Sequence, residues 1–166
     1  MTLTLTILGC GSSAGVPRPA LGWGACDPDN PKNRRRRCSL LVERTSERGI
    51  TRVLIDTAPD LREQLIDAGI DHLDAVFLTH EHADQTHGID DLRSVVLHDQ
   101  GRIDVRALGD AADGGCLQTA LPELRTRCVQ DALCGGCTLR GSASRLTHTV
   151  HSTVVERIVY GWLNKR

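Results

Sequence analysis

A chain of 166 residues, 40% hydrophobic and with a formal net charge of -1 at pH 7, is long enough to bury the core of one ordinary domain without disulfide support. The near-neutral balance excludes a broad electrostatic attraction to nucleic acid or to a membrane surface, so anion recognition must be local. No segment approaches the roughly 20 apolar residues of a transmembrane helix, and the seven cysteines fall at spacings that form no disulfide framework, which predicts a reducing, cytoplasmic setting.

Leu3 to Leu8 alternates as a strand does and runs into Gly9-Cys10-Gly11-Ser12-Ser13-Ala14-Gly15, a turn of small residues. Ile7-Leu8-Gly9-Cys10 loosely fits a lipoprotein processing site. No basic residue precedes it, however, and the apolar stretch is too short for a signal peptide. The turn also lacks the spacing of a dinucleotide fingerprint and the lysine of a P-loop.

From Pro17 to Arg37, dense Pro, Gly, Asp and Asn predict an excursion over the surface that ends in Arg34, Arg35, Arg36 and Arg37. Ser39 to Glu43 and Thr51 to Asp56 read as paired strands joined by the polar turn Arg44 to Gly49. Pro59 suits a first helical turn, and Leu61, Leu65, Ile66 and Ile70 recur at helical spacing. Ala75 to Thr79 is a short apolar run suited to a buried strand that delivers His80 at its C-terminal end. Ile89 to Leu97 has the spacing of another helix, and Ile103 to Ala107 reads as a further strand.

Beyond Leu108 the character changes. Four of the seven cysteines lie between Cys116 and Cys137, Gly114-Gly115 and Gly135-Gly136 appear, and aromatics are absent until Tyr160. Apolar periodicity fades, although Val154 to Leu163 has the pattern of a last strand or helix. The chain therefore divides into residues 1–107 and an atypical segment, 108–166.

The segment Thr79-His80-Glu81-His82-Ala83-Asp84-Gln85-Thr86-His87-Gly88 carries the chemistry. Two imidazoles one residue apart after a strand can turn toward one ion, and a carboxylate two residues on can reach a second ion nearby. Such crowding has little structural use, since a solvated loop has no need of three histidines and an aspartate within eight positions.

This segment resembles the His-x-His-x-Asp-His pattern of the metallo-β-lactamase superfamily. Leu54-Ile55-Asp56-Thr57 resembles the strand whose aspartate supports the metals from behind, and Leu8-Gly9-Cys10-Gly11-Ser12 resembles the first strand and turn. Gly11 to Pro17, Cys26-Asp27-Pro28, Asn30 to Cys38 and Gly88-Ile89-Asp90-Asp91-Leu92-Arg93 are most similar to the phosphoribosyl cyclic phosphodiesterase branch. The likeness spans about residues 2–106. It implies an α/β fold, the N-terminal half of an αββα sandwich, with metals at one edge of the sheets. By the same resemblance His80 and His82 bind a first metal, Asp84 a second, and Asp84 and Asp56 are the carboxylates of the catalytic site. The implied cofactor is Zn2+, with Mn2+ as a second candidate. The implied reaction is hydrolysis of a small cyclic phosphate ester by a metal-activated water. A nuclease or a thioester hydrolase shares the fold, since fold alone does not choose the reaction.

The sequence departs from that pattern at Gln85, which stands where the family has a histidine for the second metal. Its amide oxygen is a neutral, hard ligand. His87 either substitutes for it or is solvated. Downstream, His148 and His151 are the only histidines on offer for the missing ligands of a second half, and His148 is taken as the candidate. Simultaneous loss of family pattern, aromatics and period after Leu108 suggests an out-of-frame or degenerate segment. The rival to an enzyme is then a non-catalytic remnant that holds one metal weakly or none.

Cys134-Gly135-Gly136-Cys137 has the spacing of a zinc or redox pair, but one pair alone is an accidental pattern more often than a site. Cys26 and Cys38 resemble two positions of a structural zinc site in this branch, but Gly22 and Gly24 stand where companion cysteines are expected. Free thiols are the reading there. Arg34 to Arg37 either cradle phosphate through one or two members or are solvated. His72 and His98 are read as surface or capping residues. The partners expected are a small phosphate ester and, to cover the apolar sheet face left by a missing second half, another copy of the chain. Neither nucleic acid nor membrane is expected.

Overall fold

The Thr and Leu alternation at the start of the chain becomes the edge strand of a six-stranded mixed sheet in the computed structural model, which describes residues 1–99 and 102–107 and the backbone of a strand at 125–128. The strands lie side by side in chain order: β1 (Thr2–Gly9), β2 (Ser39–Ser46), β3 (Gly49–Ile55), β4 (Ala75–Leu78), β5 (Asp104–Ala107) and β6 (Arg125–Cys128). β1 to β3 pair antiparallel, whereas β3 to β6 pair parallel. Parallel neighbours need crossovers. Helix α1 (Leu61–Asp67) lies in the first, and α2 (Ala83–Thr86) and α3 (Leu92–Asp99) lie in the second.

Register decides what is buried. Leu41, Leu54, Val76 and Val105 are partners across four strands, so their side chains share one face. Leu61 and Leu65 of α1 and Leu92 and Val95 of α3 join that row in one hydrophobic cluster. Each such Leu or Val contributes about 1.5–3 kcal/mol through removal from water. On the opposite face Val42, Val53, Ala75 and Phe77 are buried, while Leu3, Leu5 and Ile7 on β1 remain 51%, 62% and 71% exposed. Among the described residues, the exposed apolar sheet face expected of a half-sandwich is therefore confined mainly to the edge strand.

Several local expectations change. The turn expected over Arg44 to Gly49 is only Glu47-Arg48. Arg44 to Ser46 continue β2, and Gly49 adopts a φ of 118° that closes the hairpin. Helix α1 begins at Leu61 after the capping position Asp60, so Pro59 precedes the helix instead of lying in its first turn. Ile66 is 58% exposed, because Leu61, Gln64 and Leu65 take the inward stripe. The helix expected over Ile89 to Leu97 is split into a 3-10 turn, Ile89–Asp91, followed by α3. The surface excursion keeps its irregular course except for a 3-10 turn at Pro31–Asn33, where the Asn30 side chain accepts from the Lys32 N–H. Strand β6 was not anticipated. His148, His151, the Cys134 to Cys137 pair and Val154 to Leu163 lie outside the described residues.

Hydrogen bonds to and from Thr57 fix where α2 sits. The Thr57 N–H donates to the Gln85 carbonyl at 2.7 Å and the Gly88 N–H to the Thr57 carbonyl at 2.9 Å. The buried Thr57 hydroxyl also lies within 3.1 Å of the Gln85 carbonyl and 3.2 Å of the Thr86 carbonyl. A Cβ on Gly88 would lie 2.0 Å from the Ala58 carbonyl oxygen. Gly88→Ala is therefore expected to destabilise the fold by about 1–3 kcal/mol, the usual cost of overpacking, read from the urea midpoint. An unchanged midpoint would mean that this junction is looser than its distances indicate.

Candidate metal centre

Four buried residues, Ala75 to Leu78, make up β4. Thr79 and His80 follow directly, His82 occupies the position before α2, and Asp84 lies in its first turn. One ligand atom from each of His80, His82 and Asp84 falls within 4.8 Å of the others. The two imidazole rings meet edge to face with centroids 4.8 Å apart. This is the convergence that the residue spacing predicts.

Asp56 stands behind this group. It directly follows β3 with a positive φ of 62°, a conformation that aspartate tolerates better than most side chains. Its carboxylate accepts from the Thr79 N–H at 2.7 Å and from the Thr79 hydroxyl at 2.8 Å. The same hydroxyl lies 2.9 Å from His80 Nδ1. A threonine hydroxyl has one proton, and here it is given to Asp56, so toward His80 the oxygen accepts. Nδ1 is then the protonated nitrogen, which leaves the Nε2 lone pair for a metal. Asp56 therefore acts through Thr79, as a positioning residue. Thr79 itself went unnoticed in the sequence, although a hydroxyl residue placed between a buried strand and the first histidine was the available signal.

Burial pushes the Asp56 carboxyl up to about 6, against the lowering effect of the two Thr79 hydrogen bonds, and the negative charge of Asp84 adds to the rise. A divalent cation nearby favours the carboxylate again. Gln85 is buried beside Asp84, with its Nε2 3.3 Å from Asp84 Oδ2. His87 is exposed at the end of α2.

The arginine run does not act as one surface. Arg37 donates through Nε and Nη2 to the two oxygens of Asp60, at 2.9 and 2.7 Å, and its main-chain N–H adds a third bond at 2.8 Å. Arg36 pairs with Asp67 at 2.8 Å, and Arg35 donates to the Cys26 sulfur at 3.3 Å. Arg34 is the exposed member. The expectation that the run cradles phosphate is therefore corrected for Arg36 and Arg37, whose guanidiniums face carboxylates. Cys10, Cys26 and Cys38 are free thiols. Cys38 donates to the Gly11 carbonyl at 3.1 Å, and partial burial pushes its thiol pKa up, as do the charges of Cys10, Asp56 and Asp84. His72 contacts Asp71 and Arg52, and His98 contacts the Asp71 carbonyl, as surface roles require.

The Arg37 hydrogen bonds hold the Asp60 carboxyl below its ordinary range. A depressed carboxylate stabilises the fold above its unfolded pKa of about 3.9, and that contribution is lost as pH falls through the lower folded value. The difference in urea midpoint between wild type and Asp60→Asn is thus expected to be largest above about pH 5 and to shrink below about pH 4. A difference independent of pH would remove the ion pair from the account.

A parallel-containing sheet with two histidines and an aspartate gathered at the end of a strand defines an α/β protein equipped to hold a divalent metal. The sequence profile described as the beta-lactamase superfamily domain matches residues 51–160, and the chain belongs to that superfamily. The match extends past residue 106, where the motif resemblance ends. A diphosphatase from the PhnP family, solved as a crystal structure, is 33% identical with a TM-score of 0.67, covering 77% of this chain and 51% of its own. Zn2+-bound PqqB from Methylobacterium extorquens shares the fold at 19% identity and a TM-score of 0.52, over 76% of this chain and 49% of its own. An octanoyltransferase of Porphyromonas gingivalis is 45% identical over 92 residues, which are 55% of this chain and 18% of that protein. The chain spans about half the length of these solved structures. The fold implies a divalent metal, and the His80 tautomer together with the convergence of His80, His82 and Asp84 fits one. Among the described residues no helix is long and apolar enough to cross a membrane.

Proposed function

We propose that the chain carries the principal metal-binding half of a hydrolase site acting on small phosphate esters, with cyclic phosphodiesters as the substrate class and zinc as the first ion, manganese being the alternative. The observation that carries this reading is the placement of three ligand atoms within 4.8 Å at the end of β4. The 33% identity to a protein described as a diphosphatase supports a phosphorus-centred substrate. When bound, a divalent ion polarises a phosphoryl oxygen and lowers the pKa of water into the neutral range. His80 and His82 supply imidazole nitrogens, and Asp84 supplies a carboxylate beside them. Asp56 and Thr79 hold the proton of His80 on Nδ1. Arg34 and Arg35, whose guanidiniums are not drawn to a carboxylate among the described residues, are the members of the arginine run left to meet a phosphate. The free thiols fit a reducing cytoplasm.

Gln85 favours a second reading, a remnant that holds one ion and does not turn over, since an imidazole is replaced by a weaker neutral donor. Metal analysis of the purified full chain, paired with hydrolysis of bis(p-nitrophenyl) phosphate, separates the two. Retained zinc and turnover abolished by a chelator support the hydrolase. Retained zinc without turnover supports the remnant, and failure to retain any divalent ion overturns the metal centre.

A further inference from the structure

On β2, Arg44 has Leu3 opposite it on β1 and Thr51 opposite it on β3. Leu41 of the same strand packs in the helix-side cluster, and strand alternation sends Arg44 to the other face. There Arg44 is only 8% exposed, and its Nε is buried with no hydrogen-bond partner among the described residues. A guanidinium stays charged whatever its surroundings, so its burial is not relieved by loss of a proton. A buried charge without a partner is costly and calls for a counter-ion. Arg37, Arg52 and Arg106 each face a carboxylate, of Asp60, Glu43 and Asp104, at 2.7, 2.9 and 3.0 Å. Among the described residues Arg44 faces none.

The unpartnered guanidinium lines a pocket. Met1, Arg44, Ser46, Glu47 and Arg48 border about 310 Å³ at the β2–β3 hairpin. The Ser46 hydroxyl donates to the Gly49 carbonyl at 3.2 Å and accepts from the Arg48 N–H at 3.3 Å. These bonds brace the turn that brings exposed Arg48 to the same pocket as Arg44. Two guanidiniums against one carboxylate, that of Glu47, leave the lining net positive. Forked donors and this charge suit a tetrahedral oxyanion, whose oxygens can meet both arginines at once. The hairpin is also remote from the metal cluster. It lies at the opposite end of β2 from Ser39, whose hydroxyl donates to the Asp56 carbonyl at 3.0 Å. At about 3.3 Å per residue, that separation is roughly 20 Å.

We infer that Arg44 and Arg48 bind a phosphate group, free or carried by a small ester, at a site separate from the metal centre. The anion neutralises Arg44 and ties down the β2–β3 hairpin, and it takes no part in hydrolysis. The site does not depend on the reading of His80, His82 and Asp84 as metal ligands.

The test uses the full chain, labelled with 15N and titrated in chloride buffer at constant ionic strength with inorganic phosphate, with glycerol 3-phosphate and with acetate. Amide signals from Thr45 to Gly49 are expected to shift and saturate with both phosphate compounds. The tighter of the two identifies the free ion or the ester as the ligand. Arg44→Met should bind phosphate at least about tenfold more weakly, as loss of a charged hydrogen-bonding group predicts. Phosphate should raise the melting midpoint of wild type and leave that of Arg44→Met unchanged. Glu47→Gln, at an exposed position, should tighten binding about threefold by removing the opposing charge. Circular dichroism checks each fold, and Glu47→Gln decides alone if Arg44→Met is misfolded. The inference is overturned by phosphate shifts confined to Arg34, Arg35 and the His80 loop, or by acetate binding as tightly as phosphate. Unchanged phosphate affinity in folded Arg44→Met, or in Glu47→Gln, overturns it as well.

Discussion

Replacing His82 with alanine is expected to lower zinc affinity by at least about 100-fold, the upper range for loss of even an outer partner of a metal ligand, and to remove phosphodiester hydrolysis with it. The fold should not suffer. His82 is exposed, and its side chain makes no capping bond to α2, so metal-free stability should stay within about 0.5 kcal/mol of wild type. That separation makes His82 the cleaner choice over His80, whose ring is tied to Thr79 at 2.9 Å. Zinc content by elemental analysis and the melting midpoint in chelator check both halves. A variant that keeps its zinc with unaltered affinity would show that the three converging atoms do not form a metal centre.

The metal cluster was legible because its geometry is local. His80, His82 and Asp84 lie within five residues of one another, so a strand end and one helical turn suffice to bring them together. The strands were legible for a similar reason, since alternation in β1 and apolar runs in β3 and β4 are direct traces of the sheet faces. Pairings between segments distant in sequence were not. Arg37 meets Asp60 from 23 residues away, and no pattern in a run of four arginines says which one will be drawn to a carboxylate. The packing of Gly88 against Ala58 joins two loops and leaves no sequence trace beyond the glycine itself.

The Asp56 and Thr79 relay lies between these extremes. Each residue flanks a predicted strand end, and β3 and β4 are parallel neighbours with Ile55 opposite Phe77. Parallel pairing brings their C-terminal ends to the same side, so the residues just beyond, Asp56 and Thr79, are placed to meet. Asp56 was found through resemblance. Thr79 follows only once the register of the two strands is known.

Asp56→Asn is the substitution that isolates this relay. Asparagine has the shape of aspartate and accepts the same positive φ, so the backbone of the β3 end should hold. What changes is the direction of the hydrogen bonds. The amide nitrogen would now face the Thr79 hydroxyl as a donor, and the hydroxyl proton, no longer given to Asp56, would point to His80 Nδ1. That nitrogen must then accept, its proton moves to Nε2, and the nitrogen needed by the metal is blocked. A loss of about 10- to 100-fold in zinc affinity is expected, with the His80 tautomer change visible in 15N NMR of the metal-free protein. Stability should move the other way. Asp56 is a buried carboxyl held at about 6, so above that pH the metal-free wild type carries a charge that asparagine avoids. A purely structural role for Asp56 would lower stability along with affinity. Thr79→Ser, which keeps the hydroxyl, should bind zinc as wild type does, and a Thr79→Ser variant as weak as Asp56→Asn would break the relay.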